Sequence, residues 1–335
     1  MLTPIRAVGN ARTLMADDEC GEQGVRRARR GLAVFFAVLV PLSALFEALK
    51  LLRTRFIGPE LPVLLLMWSP AAAALTARLA LREGFADISL RLGGGPGWRA
   101  VLLAAVYPVA VGFLAYGAAW RLGLADFAPP SRDMVLTIPI WTFPLSGSPW
   151  VRVAKLLATH LTIGSSIGAV WVLGEELGWR GYLAPRLLEA RVPLALPLSG
   201  LIWSVWHWPL VFAYSDPGRG VPSVLLFTAV FVPMGSAMAR QRLETGSLWP
   251  AIVLHTVWND VIGLVFGPCT PNEGLWLGES GVLVAIVSFA LLAPLFRGRW
   301  LARRTPTSAP FAELEALRRV AGPPTAEGSR LAERP

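Results

Sequence analysis

The stretch 156–181, LLATHLTIGSSIGAVWVLGEELGWRG, decides how this 335-residue chain is read. Residues 156–174 carry no Asp, Glu, Lys or Arg, close to the roughly 20 apolar residues that a membrane-spanning helix needs. Glu175, Glu176 and Arg180 then follow in one run. Ionisable groups set into membrane-length apolar sequence are costly and usually functional. Working outward, seven more stretches lack these four residue types: 31–46, 61–77, 100–120, 192–215, 220–239, 245–259 and 280–296. The shorter ones extend past a flanking charge that can snorkel to the interface. A composition 54% hydrophobic and 16% charged, with mean hydropathy +0.53, excludes an ordinary soluble domain of this length. The expected fold is an all-α, polytopic membrane helix bundle of about eight transmembrane helices.

The arginines orient the bundle. Arg26, Arg27, Arg29 and Arg30 precede the first span, Arg78, Arg82 and Arg91 separate the second from the third, and Arg180, Arg186 and Arg191 follow the fourth. Arg240 and Arg242 precede the seventh, and Arg297, Arg299, Arg303 and Arg304 follow the eighth. The positive-inside rule makes all of these cytoplasmic, with both termini inside. The opposite loop 260–279 has no Lys or Arg. One further charge-free stretch, 134–151, contains Pro139, Pro144 and Pro149 beside Ser146, Gly147 and Ser148. It is expected to be an interfacial or re-entrant segment.

Three regions follow: a basic cytoplasmic tail (1–30), a transmembrane domain (31–297) and a polar, proline-containing tail (298–335). Residues 1–30 lack the apolar core of a cleavable signal peptide, so the first span is expected to target the chain to the membrane. Met1 and Met15 are both possible starts. In the last region Phe311, Leu314 and Leu317 could form one surface helix, although disorder fits equally well. The net charge of +9 is topological, because the arginines sit at helix ends rather than along a nucleic-acid-binding stripe. Cys20 and Cys269 are expected on opposite sides of the membrane and unable to pair.

Two of the three histidines lie in polar signatures. On a helix Glu176 and Arg180 share a face in the favourable order for an ion pair, while Glu175 points about 100° away. Glu176 is then expected to be a structural clamp and Glu175 to face a cavity as a base for water. Ordinary interfacial helix-end charges are the alternative. His207, one turn after Trp203, falls about 15–20 Å into the fifth span. Trp203 could fix its ring by packing, and the plainer reading is a core histidine bonded to a neighbouring helix. His255 and Asn259 share a face of the seventh span and could donate to a developing oxyanion. An interhelical polar clamp would explain them too. Asp260 points off that face and is expected to be an outer-leaflet or structural charge. His160 has no companion motif and is expected to be structural.

Taken together, Glu-Glu-x-x-x-Arg, aromatic-x-x-x-His and His-x-x-x-Asn on three apolar segments closely resemble the CPBP family of intramembrane proteases, also called Abi or CAAX protease and bacteriocin-processing. The resemblance covers about 150–265. The first and third motifs match in full, whereas Trp203 stands where the family usually has Phe. The resemblance implies an intramembrane endopeptidase in which Glu175 and His207 activate water, His255 and Asn259 stabilise the oxyanion, and Glu176, Arg180 and Trp203 support the site. The substrate's scissile bond would arrive from the cytosol or inner leaflet. Glu175, His207 and His255 could together bind zinc with a position open for water. There is no His-Glu-x-x-His helix, and a metal-free mechanism suits the same residue types. An Ala, Gly, Pro and Arg-rich composition suggests a high-GC bacterium and its plasma membrane, where a prenylated CAAX substrate is not expected to be the natural one. Two other classes remain open: a non-catalytic factor for bacteriocin or peptide-toxin immunity, and a proton-coupled transporter.

Overall fold

The structure is a computed structural model that describes residues 5–52, 60–131, 134–138 and 141–296. Its first three helices are α1 (Ile5–Leu51), α2 (Glu60–Leu81) and α3 (Gly94–Leu122). A two-stranded antiparallel hairpin, β1 (Val135–Ile138) and β2 (Trp141–Pro144), follows, with Val135 opposite Pro144 and Ile138 opposite Trp141. One long rod comes next: α4 (Pro149–Thr159), a π-helical turn (His160–Gly164), α5 (Ser165–Gly178), a second π turn (Trp179–Leu183) and α6 (Ala184–Glu189). Then come α7 (Ala195–Tyr214) and α8 (Gly220–Thr245). Last are α9 (Trp249–Trp258), prolonged by a π turn (Asn259–Phe266) and a 3-10 turn (Gly267–Cys269), and α10 (Val282–Phe296).

Each of the eight predicted spans falls on one of these rods. Seven are long and apolar enough to cross a membrane, and α10 is a shorter apolar helix. The polytopic helical bundle is as expected, and the segment expected to be interfacial or re-entrant carries the short hairpin at 135–144. Prolines at 139, 144 and 149 disfavour a continuous helix, while Val135, Thr137, Ile138 and Thr142 favour extended backbone. Pro149 then occupies the first turn of α4, where its missing N–H costs nothing. The helix α1 runs unbroken through residue 30, so the basic tail and the first span are continuous. Arg27 Nη2 donates to the Leu81 carbonyl (2.6 Å), tying α1 to the end of α2. The patch at Phe311, Leu314 and Leu317, with the tail that carries it, lies outside the described residues.

Glycine lets the central helices touch. A Cβ at Gly174 would lie 2.7 Å from Trp68 Cγ and 2.8 Å from the Met67 carbonyl oxygen. One at Gly178 would lie 2.3 Å from Pro70 Cβ and 2.6 Å from its carbonyl carbon. The spacing Gly174-x-x-x-Gly178 thus presents a small-residue stripe to α2, the device membrane helices use for close approach. Gly200 and Gly235 do the same between α7 and α8: a Cβ at Gly235 would meet Gly200 Cα at 2.9 Å. Since Glu175 and Glu176 sit between the two glycines of α5, Gly178→Ala is expected to displace both. Overpacking of this kind costs about 1–3 kcal/mol. Thermal unfolding in detergent should show a lower Tm, and an unchanged Tm would refute the contact.

The two ends of the bundle are held by different chemistry. At one end Arg78, 2% exposed, donates to Asp87 (Nη2 to Oδ2, 2.8 Å) and to the Gly181 carbonyl (3.1 Å). Arg186 pairs with Glu83 (2.8 Å) and Glu189, and Trp249 Nε1 donates to the Leu90 carbonyl (2.6 Å). These cations cluster where α2 and α6 end, the favourable pole of a helix for positive charge. At the other end Tyr116 of α3 donates to Glu273 (2.9 Å) and Trp258 Nε1 donates to Glu279 (2.9 Å), pinning the 270–281 loop. Cys269, expected in an outer loop, ends the 3-10 turn as a buried free thiol.

Candidate active site

The carboxylates at the end of α5 divide as their helical phase requires. Glu176 and Arg180 are wholly buried, and Arg180 Nη1 donates to both carboxylate oxygens of Glu176 (2.8 and 3.1 Å). Arg180 falls in the π turn at Trp179–Leu183, and its guanidinium carbon lies 4.2 Å from the centroid of the Trp203 ring. Stacking on an aromatic face is a favourable place for a desolvated cation. Glu176 Oε1 also accepts a hydrogen bond from His255 Nδ1 (2.8 Å). This joins the first motif to the third across 79 residues of sequence.

Glu175 is not the free carboxylate that helical phase alone suggests. It is 1% exposed, and its Oε2 accepts from Trp203 Nε1 (2.9 Å) and Trp179 Nε1 (3.2 Å). Trp203 therefore does more than pack beside His207: its indole N–H orients the carboxylate, which a phenylalanine cannot do. Hydrogen bonds to charged groups are worth about 1.5–3 kcal/mol, and Trp179 would remain as a donor. Trp203→Phe is therefore expected to lower kcat/KM for any reaction at Glu175 about tenfold, near 1.4 kcal/mol. The check is steady-state kinetics alongside thermal unfolding; an unchanged rate in a folded variant would remove the orienting role.

His207 is half-buried, with Nδ1 2.9 Å from the Trp203 carbonyl. A carbonyl only accepts, so Nδ1 carries the proton and a neutral ring leaves Nε2 as a base. The same logic puts a proton on Nδ1 of His255, facing Glu176. For His255 to donate from Nε2 as well, the ring must be an imidazolium. The buried group would then balance two carboxylates against one guanidinium and one imidazolium, the arrangement that best avoids an uncompensated charge. Asn259 opens the π turn at Asn259–Phe266 one turn beyond His255. It is half-buried, and its backbone N–H donates to the His255 and Thr256 carbonyls.

Sequence reading misses several neighbours. Trp179, four residues after Glu175, could have been found by its spacing. Trp206, edge-on to His207 at 4.7 Å, donates to Ser43 of α1 (2.7 Å). Phe227 and Phe231 of α8 lie 5.3 and 5.9 Å from His207 and stack on each other at 3.7 Å. Their four-residue spacing marks a shared face, and nothing in the chain marks which helix that face meets. His160 does have a companion: its Nδ1 lies 3.5 Å from Asp260 Oδ1, and Asp260 Oδ2 accepts from Ser165 (2.7 Å). Asp260 is buried, so this is an internal clamp between two π turns. Cys20 has no described side chain.

For zinc, the donor set is only partly suitable. Of the expected ligands Glu175, His207 and His255, one Glu175 oxygen and both Nδ1 atoms are already committed to hydrogen bonds. Among the described residues, no three His, Cys, Asp or Glu side chains group as a metal site. The arrangement does not fit the ion as it stands.

Residues 157–261, which hold all three motifs, match the family model "Type II CAAX prenyl endopeptidase Rce1-like". This segment is similar to the CAAX prenyl endopeptidases. A relative, CAAX prenyl protease 2 of Methanococcus maripaludis, is 30% identical over 125 residues, covering 35% of this chain and 45% of the relative. The chain thus spans under half the length of this curated protease. The matched segment runs from the end of α4 to the start of the last π turn and contains the buried charge group entire.

Proposed function

We propose that this chain is an intramembrane endopeptidase that hydrolyses peptide bonds of membrane-associated or CAAX-like substrates in a bacterial plasma membrane, with both termini cytoplasmic. One observation carries the reading: three motifs from three rods meet in a single buried group, with His255 bonded to Glu176 and Trp203 bonded to Glu175. In this reading Glu175 takes a proton from water while His207 Nε2 accepts a hydrogen bond from the same water. The hydroxide adds to the scissile carbonyl carbon, and the developing oxyanion receives hydrogen bonds from His255 Nε2 and the Asn259 amide. When the C–N bond breaks, Glu175 returns its proton to the leaving amine. Glu176, with Arg180 behind it, supplies the countercharge for His255. No step above depends on zinc, whose expected ligands Glu175, His207 and His255 do not group as a metal site among the described residues.

The test uses reconstituted protein and a library of membrane-anchored peptides. Cleavage by wild type that disappears in His207→Ala supports the proposal, and a zinc chelator decides whether a metal participates. A folded protein that cuts nothing, or one indifferent to His207, refutes the proposal.

A further inference from the structure

At the end of the bundle opposite the arginine cluster, a cavity of about 310 Å³ opens between the turn joining α7 to α8 and the 270–281 loop. That volume is at the lower end of the roughly 300–1,000 Å³ typical of ligand sites. Val211, Asp216, Arg219, Ser223, Phe227 and Glu279 are among its walls. Three of its contacts lead to the buried charge group. Val211 lies one turn beyond His207 on the same face of α7. The Phe227 ring is 5.3 Å from the His207 ring, and Glu279 accepts a hydrogen bond from the indole N–H of Trp258, the neighbour of Asn259.

Exposure points the same way. Glu175 and His255 are 1% and 2% exposed, whereas His207 and Asn259 are half-buried. From the arginine end, access is closed by Glu176, Arg180 and Trp203, all at 0% exposure, and beyond them by the Arg78–Asp87 pair. Along their rods His207 and Asn259 stand one turn nearer the cavity end than Trp203 and His255. Phe227, 1% exposed and stacked on Phe231, fills the space between cavity and His207.

Resting on the protease reading above, we propose that this cavity is the mouth through which a peptide reaches His207, and that Phe227 sets the size of the substrate side chain seated beside that histidine. Hydroxyl and charged groups at the mouth match the N–H and C=O groups of an extended peptide. Phe227 leaves room for a small side chain and excludes an aromatic one. With the arginine-rich end in the cytoplasm, peptides would arrive from the opposite face of the membrane, not from the cytosol or inner leaflet expected from the arginine topology.

The experiment places a cysteine at Ser223→Cys and attaches a bulky, membrane-impermeant thiol reagent, with treated wild type as the control for Cys20 and Cys269. Cleavage is followed in Ser223→Cys, and binding of a fluorescent membrane-anchored peptide in Ser223→Cys combined with Glu175→Gln. Modification should lower both at least tenfold. Phe227→Ala should shift the ratio of cleavage of phenylalanine-bearing over alanine-bearing peptides upward at least tenfold, and Phe227→Leu by a smaller factor in the same direction. Unaltered binding and cleavage after modification would overturn the mouth, and an unchanged ratio in both folded Phe227 variants would overturn the size filter. If modification blocks binding while no form of the protein cuts, the cavity inference stands and the protease reading falls. A protein that neither binds nor cuts peptides removes both.

Discussion

Glu175→Gln is expected to reduce peptide cleavage by about 10³-fold or more while leaving the fold intact. The carboxylate has two distinct tasks here, and the substitution separates them. Structurally, one oxygen accepts two indole hydrogen bonds, from Trp203 and Trp179. The glutamine carbonyl oxygen has two lone pairs and can accept both. Chemically, an amide cannot take a proton from water or return it to the leaving amine, and positioned acid–base groups contribute about 10²–10⁴-fold to rate. Loss toward the upper part of that range follows because the same group acts in both proton transfers. Kinetics on the reconstituted variant measure the first effect and thermal unfolding the second. A fall in rate with a matching fall in Tm would mean that Glu175 is structural, and a folded, fully active variant would remove it from the reaction.

What the sequence made legible was what a single helix determines. The Glu176–Arg180 pair follows from a spacing of four, and the opposed phase of Glu175 from the same period. Eight charge-free stretches became eight helical rods because a membrane helix satisfies its own backbone and needs no information from elsewhere. Contacts between helices were not legible. Nothing local says that the Trp203 indole reaches Glu175, that His255 rather than water takes the second position on Glu176, or that Asp260 meets His160 and Ser165. The π turns add to this: one extra residue in a turn shifts the facing of everything after it, so a 3.6-residue period carried past Gly178 or Trp258 misplaces side chains. The hairpin at 135–144 was hidden for a related reason. Its closely spaced prolines disfavour helix but do not choose between a loop and paired strands, and pairing depends on a partner.

Arg180→Met is expected to destabilise the protein by about 3–5 kcal/mol, the cost of breaking a buried ion pair by removing one partner. Glu176 would keep its charge at a wholly buried position with only His255 left to answer it. Lysine should not rescue. Arg180 offers two contacts to Glu176 and a flat face to Trp203, and an ammonium group reproduces neither the fork nor the stack. The Nε and Nη2 of Arg180 have no hydrogen-bond partner among the described residues and lie buried near the α8 glycine Gly235, so the stacking on Trp203 is part of what holds the cation there. Arg180→Met combined with Glu176→Gln removes both charges. Because replacing both members of a buried pair is far less costly than orphaning one, the double variant should regain most of the lost stability. It should not regain activity. His255 would then face a neutral amide, and the imidazolium needed to present a second N–H to the oxyanion would have lost its countercharge. A double-mutant cycle read by thermal unfolding, with cleavage measured on the same four proteins, tests this separation. Additive losses in Tm would show that Glu176 and Arg180 are not coupled. Recovery of cleavage along with stability would show that the carboxylate beneath His255 serves the fold alone.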